Sequence, residues 1–346
     1  MRPAITKNRT LLCIFLFALA IRVYIALATQ EPRDPGDMET YNTLAVEGGF
    51  GVCQAPFYPL LLRLVCFLFG VANLTPIFVI QGVLSSLVVP LMYLVATRTW
   101  GERAGIAAAV VSAVYPDFLF YSTAVRTESL IVLCVVSMMA ISVSRMRDTH
   151  KACAQGALVG AGVLLQTSLV FLLPGVIVTL KRRLLFLVVC AAIVAPWIVR
   201  SSVVYRTFAP AACVSAHSDE SIWRYAAANG SLFRVLDRIY VNALTLYNWH
   251  PESPVIKTVA GATRINGIYF VRKYSYLAML LVGSFAAARY VRREHLTIVL
   301  PVFVCSACLV LFTLLSEGRF RALLEPILIL YVSMMVGGRS AETRPH

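Results

Sequence analysis

Four carboxylates fall within the stretch EPRDPGDMETYNTLA (31–45): Glu31, Asp34, Asp37 and Glu39. They surround a Pro35-Gly36 turn and follow directly on a long apolar run. A carboxylate held in one orientation by such a turn can serve as a general base for an acceptor hydroxyl. Asp37 can equally cap a helix begun by METYNTLA, accepting from a free backbone N–H two or three residues on. The two roles can coexist. A carboxylate cluster also binds hard cations, so the group admits a divalent metal, although base chemistry requires no cofactor.

Other ionisable groups stand out by location. In YPDFLFYSTAVRTES (115–129), Arg126 and Glu128 lie near the start of an apolar span. Ionisable groups at membrane depth are costly and point to function by default. The plainer alternative is that Asp117 or Glu128 stabilises a helix start through the positive end of its dipole. In SEGRFRALLEP (316–326), Glu317, Arg319 and Arg321 lie between two apolar runs. Guanidinium groups there can clamp a phosphate with paired hydrogen bonds, or simply meet lipid headgroups. Arg200, shortly after APW (195–197), is similarly placed at the end of a run. The five histidines, His150, His217, His250, His295 and His346, show no metal-ligand spacing. Neither G-x-x-x-x-G-K-[ST] nor G-x-S-x-G occurs, so ATP-driven transport and serine hydrolysis have no support.

The elements that must position these groups are membrane helices. The chain has 346 residues, of which 59% are hydrophobic and 14% charged, with a mean hydropathy of +0.77. Several apolar runs approach the roughly 20 residues that span a bilayer, and only helices satisfy their own backbone in lipid without an open edge. Residues 1–346 are therefore expected to form a single all-α membrane-embedded unit. A first span near 10–28 is read as retained: ALA (26–28) resembles a signal-peptidase site, but Arg22 interrupts the run and the run is long for a signal peptide. Further spans are expected near 75–97, 104–116, 127–144, 152–166, 168–180, 184–199, 274–288, 296–315 and 320–337, about ten in all.

The net charge of +14 is dispersed in short clusters between apolar runs. That pattern fixes orientation in a membrane and does not suggest nucleic acid. Placing the N-terminus in the cytoplasm puts Arg2, Lys7 and Arg9, Arg98 and Arg103, Arg145, Arg147 and Lys151, Lys181 to Arg183, Arg289, Arg292 and Arg293, and Arg339 and Arg344 on the cytoplasmic side, together with both termini. Two longer segments then lie outside, 29–74 and 200–273. Within the first, PFYPLLLRLVCFLFG carries Arg63 and is expected to lie in the interface without crossing. The second, with Trp223, Trp249 and several tyrosines, suits a small extracytoplasmic region resting on the membrane. Cys13, Cys134, Cys190, Cys305 and Cys308 fall in apolar runs, where cysteine behaves as a small hydrophobe. Cys53 and Cys213 both fall outside, where a disulfide is chemically permitted.

Taken in order, these pieces resemble a known family. A first span is followed by PGDMETYNTLAVEGGFG, then APFYPLLLRLVCFLFG, then QGVLSSLVVPLMYLVATRTWGERAGIAAAVVSAVYPDFLFYSTAVRTESL. The arrangement resembles the bacterial branch of the polyprenyl-phosphate-sugar-dependent glycosyltransferases of the GT-C fold. That branch is related to protein O-mannosyltransferases and to the lipid A aminoarabinose transferase. APWIVRSSVVYRTFAP and EGRFRALLEPILIL resemble segments that usually read PW-x-x-RN and RYR-x-P-x-x-P, with Ser201 in place of the asparagine and Ala322 or Leu323 in place of the first proline.

The resemblance implies a GT-C-like bundle in a bacterial cytoplasmic membrane, working on its outer face. Asp37 would be the catalytic carboxylate, with Asp34, Glu39 and Glu128 as secondary acids, Glu128 being the acid of the family's T-E pair. Arg319 and Arg321 would bind phosphate, with Arg200 and Arg126 behind them. The donor would be a polyprenyl-phosphate sugar, and the acceptor a hydroxyl of a lipid, glycan or protein. Transfer would be a single in-line displacement that inverts the anomeric carbon. The principal rival is a lipid-linked sugar flippase or other secondary transporter. Such proteins often show two related halves with interrupted helices at the midplane, whereas here the halves do not match and the acids gather at one surface.

Overall fold

The computed structural model describes residues 2–28, 55–70, 75–206, 274–276, 278–287, 289, 295–312 and 322–337. Among these residues no strand occurs, and the chain is an α-helical bundle. The helices are α1 (Arg2–Ala28), α2 (Phe57–Phe69), α3 (Thr75–Ser86), α4 (Val88–Trp100), α5 (Glu102–Val114), α6 (Pro116–Tyr121) and α7 (Glu128–Ser142). They continue as α8 (Asp148–Leu165), a 3-10 turn over Thr167–Phe171, α9 (Leu172–Thr179), α10 (Arg183–Tyr205), α11 (Leu296–Phe312) and α12 (Glu325–Gly337). The expected spans from 10–28 to 184–199 and those at 296–315 and 320–337 have helical counterparts, and the described residues of 274–288 are helical. Three helical stretches are long and apolar enough to cross a membrane by length and composition: Arg9–Ala28, Thr75–Trp100 and Arg183–Val204.

Proline and glycine set the breaks. α3 and α4 form a nearly continuous rod with a turn at Leu87. Pro90 has no N–H to offer the carbonyl four residues back, so the ladder is interrupted there. At Gly101 the backbone takes φ 95°, a conformation nearly closed to other residues, and the chain reverses so that α5 packs back along α4. Pro116 stands at the start of α6, where its missing N–H is no loss, and α5, the counterpart of the span expected at 104–116, ends before it at Val114. The span expected at 168–180 begins as the 3-10 turn and widens into the α-helix α9.

α4, α5, α7 and α12 surround one core, in which Val88, Met92, Val135, Val136, Ile329 and Tyr331 are buried. α8 packs on α10 through small residues. A Cβ placed on Gly156 would come within 2.6 Å of the Phe186 carbonyl oxygen, and one on Gly160 within 3.1 Å of that of Cys190. Small residues permit close approach where lipid gives helices no hydrophobic reason to associate. The outer surface is apolar: Leu184 is 75% exposed and Phe67 84%, which suits hydrocarbon and not water. α2 has 13 residues, or about 20 Å at 1.5 Å per residue, short of the roughly 30 Å hydrocarbon core. α5 and α12 also have 13 residues, so length alone does not distinguish α2 from them. Among the described residues Cys13, Cys66, Cys134, Cys153, Cys190 and Cys305 form no disulfide; Cys53 and Cys213 lie outside them.

Candidate active site

Polar side chains gather where α2, α3, the 115–128 segment and the start of α12 meet. Tyr58 on α2 and Gln81 on α3 are both buried. The Tyr58 hydroxyl donates to Gln81 Oε1 at 2.6 Å. Gln81 Nε2 donates to the carbonyls of Ala124 at 2.8 Å and Tyr121 at 3.4 Å. These two carbonyls lie where the chain leaves α6 and passes through a non-helical turn before α7. Backbone groups freed from a helix ladder in a membrane must find a partner inside the protein, and the Gln81 amide is that partner.

The same turn carries the expected pair. Arg126 Nη1 lies 3.3 Å from Glu128 Oε1, with the arginine side chain 19% exposed and the glutamate 2%. Thr127, at the N-cap of α7, does not bond back onto its helix. Its hydroxyl donates instead to Gln166 Oε1 at 3.0 Å, across to the junction between α8 and the 3-10 turn. From below, the Tyr121 hydroxyl donates to Glu325 Oε1 at 3.4 Å, tying α6 to the first turn of α12.

Asp117, Glu128 and Glu325 are all buried, and each sits in the first turn of its helix. The helix dipole favours a negative charge there by about 2 kcal/mol at most. Burying an ion costs several kcal/mol after relaxation, and the Arg126 guanidinium, 3.3 Å away and 19% exposed, offsets part of that cost for Glu128.

A second buried cation braces the first helix. Arg22 on α1 is fully buried. Its guanidinium donates to Ser85 Oγ at 3.2 Å and to the carbonyls of Ala18, Ala113 and Ser112 at 3.1, 3.0 and 3.0 Å. Ser112 and Ala113 belong to the last turn of α5, where the dipole's negative end favours a cation. Arg22 therefore fixes α1 and α3 to the point at which the chain turns into the 115–128 segment.

Of the expected site residues, the structure brings Arg126 and Glu128 together. It places Arg200, exposed near the end of α10, with its guanidinium carbon 4.7 Å from the centre of the Trp197 ring. Asp34, Asp37, Glu39, Arg319 and Arg321 lie outside the described residues. Gln81, Tyr58, Tyr121, Gln166, Glu325 and Arg22 as a brace were not singled out from the sequence as site residues. The signal for Gln81 was present: an amide inside FVIQGVLSSL (78–87) is out of place in lipid. Among the described residues no three His, Cys, Asp or Glu side chains come together as metal ligands. An apolar groove of about 260 Å³ runs between α8, α9 and α10, lined by Val163, Leu173, Leu187, Cys190, Ala195 and Ile198. Ile198 lies two residues from Arg200.

Comparison with known proteins agrees with this architecture. Residues 53–205, somewhat less than half of the chain, match the family of dolichyl-phosphate-mannose-protein mannosyltransferases. A comparison with curated proteins gave no significant match. Among solved structures, ArnT from Cupriavidus metallidurans bound to undecaprenyl phosphate is similar over 97% of this chain and 60% of its own, with a TM-score of 0.61 at 13% identity. The oligosaccharyltransferase of Archaeoglobus fulgidus in its apo form is similar over 95% of this chain and 50% of its own, with a TM-score of 0.56 at 14% identity. The archaeal oligosaccharyltransferase AglB from the same organism, in complex with an inhibitory peptide and a dolichol-phosphate, gives a TM-score of 0.53 at 13% identity. The chain thus spans between half and three fifths of the length of these structures. This is a multi-helix membrane protein of the GT-C fold, and its residues 53–205 carry the pattern of the mannosyltransferase family.

Proposed function

We propose that the chain is a glycosyltransferase that moves a sugar from a polyprenyl-phosphate carrier to an acceptor hydroxyl on the extracytoplasmic face of a bacterial cytoplasmic membrane. The observation that carries this reading is the buried Arg126–Glu128 pair, set by a polar network at one end of an otherwise apolar bundle. The fold similarity to proteins bound to undecaprenyl phosphate and to dolichol-phosphate supports the donor class.

A lipid-phosphate sugar brings its own activated bond and its own anchor. The protein must hold the phosphate, expose the anomeric carbon and remove one proton from the acceptor. Asp37 takes that proton as the acceptor oxygen attacks, the bond from the anomeric carbon to phosphate oxygen breaks, and the configuration inverts. Arg319 and Arg321, with Arg126 and Arg200, stabilise the charge left on the phosphate. The apolar groove beside α10 receives part of the isoprenoid chain, with Arg200 near its edge. No step uses a cofactor; a divalent cation would sit on Asp34, Asp37 and Glu39, which chelation by EDTA tests.

The decisive substitution is Asp37→Asn in native membranes. Transfer should fall by roughly 10²–10⁴-fold, the usual contribution of a positioned base. Transfer at the wild-type rate would remove Asp37 from the mechanism. Movement of the carrier across liposomes with no sugar transfer would make the protein a flippase.

A further inference from the structure

We infer that Gln81 is a positioning residue: its amide sets the turn that presents Arg126 and Glu128 and couples that turn to the docking of α2 through Tyr58. The inference rests on the reading of this turn as part of a polyprenyl-phosphate site.

The direction of each bond is fixed by chemistry. The carbonyls of Tyr121 and Ala124 can only accept, so the NH2 of Gln81 must face them. Its Oε1 then faces Tyr58, and the Tyr58 hydroxyl must donate. Both ends of the amide are thus committed, and neither can rotate without losing a partner. The Ala124 carbonyl also accepts from the Arg126 backbone N–H at 2.8 Å. Gln81 therefore holds the very peptide group against which the Arg126 backbone is registered.

Packing alone does not account for a glutamine here. An apolar side chain of the same length would fill the space with no polar group to desolvate, and the rest of α3 would accept it. What an apolar residue lacks is the donor that bridges the Tyr121 and Ala124 carbonyls. α3 also carries the contacts that lock it in place. Ser85 bonds to Arg22, and a Cβ on Gly82 would stand 3.4 Å from the Arg22 Cβ. The helix that supplies the amide is thus itself braced, as a positioning element must be. Tyr58 makes the device responsive: α2 belongs to the same segment as Asp37, so its seating on α3 reaches the Arg126–Glu128 turn through one amide.

The test uses the full chain in lipid nanodiscs with undecaprenyl phosphate as the probe, comparing wild type, Gln81→Met, Gln81→Glu and Tyr58→Phe. Affinity is read by titration, and backbone opening by hydrogen exchange. Gln81→Met keeps the volume without any donor, and Gln81→Glu keeps the acceptor for Tyr58 but offers at most one donor for the two carbonyls. Both should weaken undecaprenyl phosphate about tenfold, one lost hydrogen bond to buried carbonyls, and raise exchange within 122–128 while 132–142 stays protected. Tyr58→Phe, which leaves the carbonyl bonds intact and removes only a hydroxyl, should weaken binding by a smaller factor. Gln81→Met binding like wild type would overturn the inference, as would faster exchange spread evenly through the bundle. If wild type itself fails to bind undecaprenyl phosphate, the site reading falls. The exchange pattern then decides separately whether Gln81 holds the turn.

Discussion

The two ends of α7 use polar residues in opposite ways. At its first turn, Glu128 is buried against Arg126 and the preceding turn hangs from the Gln81 amide. At its last turn, Lys151 Nζ donates to the Ser142 carbonyl at 3.2 Å and Arg98 Nη1 to that of Val143 at 3.3 Å. Gln155 adds a bond from Nε2 to Ser142 Oγ at 2.8 Å. Those cations cap a helix end, complement its dipole and keep their hydration within reach. Nearby, the Lys181–Asp148 pair is 82% and 50% exposed. One end therefore places charge where it is cheap and locally useful to a helix. The other buries charge in the interior and spends hydrogen bonds on backbone that is not helical at all. The contrast is what singles out the first end as the candidate site.

Substitutions that split the two ends test the contrast. The largest effect belongs to Glu128→Leu, which strands the partly buried Arg126. Breaking a buried pair costs about 3–5 kcal/mol, less here because Arg126 keeps contact with solvent. Transfer activity should fall by more than tenfold, and thermal unfolding in detergent should move down. Next is Arg22→Leu, which orphans the Ser112 and Ala113 carbonyls. A loss of about 1–3 kcal/mol per unsatisfied group would appear as a lowered unfolding temperature with faster hydrogen exchange around 112–116. Lys151→Ala at the opposite end removes one helix-end cation, worth about 0.3–1 kcal/mol, and should leave transfer unchanged. Lys181→Ala should be silent by both measures, since exposed pairs contribute about 0–1 kcal/mol.

The bundle was legible in the sequence because lipid leaves few options. Apolar runs of sufficient length become helices; the turn at Leu87 beside Pro90 and the helix end before Pro116, by contrast, fell inside the expected spans 75–97 and 104–116 and became visible only in the structure. Arg126 and Glu128 were legible for a related reason: charge beside an apolar run has to be explained. Gln81 and Tyr58 were harder to read: an amide inside an apolar run signals that it has a partner but does not say which, and a phenol gives even less. Only the carbonyls of Tyr121 and Ala124, brought near by tertiary packing, reveal what they are for. Arg22 was visible as an interruption of the first span, but its partners lie on α3 and α5, far away in sequence. Glu325 was hidden for the same reason, its partner Tyr121 being 204 residues away.

The most direct test of the central claim is a side-by-side transfer assay in proteoliposomes. Undecaprenyl-phosphate-linked sugars, mannose first, would be supplied with extracted native acceptors, and released undecaprenyl phosphate would be quantified for wild type, Glu128→Gln and Lys151→Ala. The account predicts release by wild type, release slowed at least tenfold by Glu128→Gln, and wild-type release by Lys151→Ala. Equal losses in the two variants, or full release by Glu128→Gln, would contradict it.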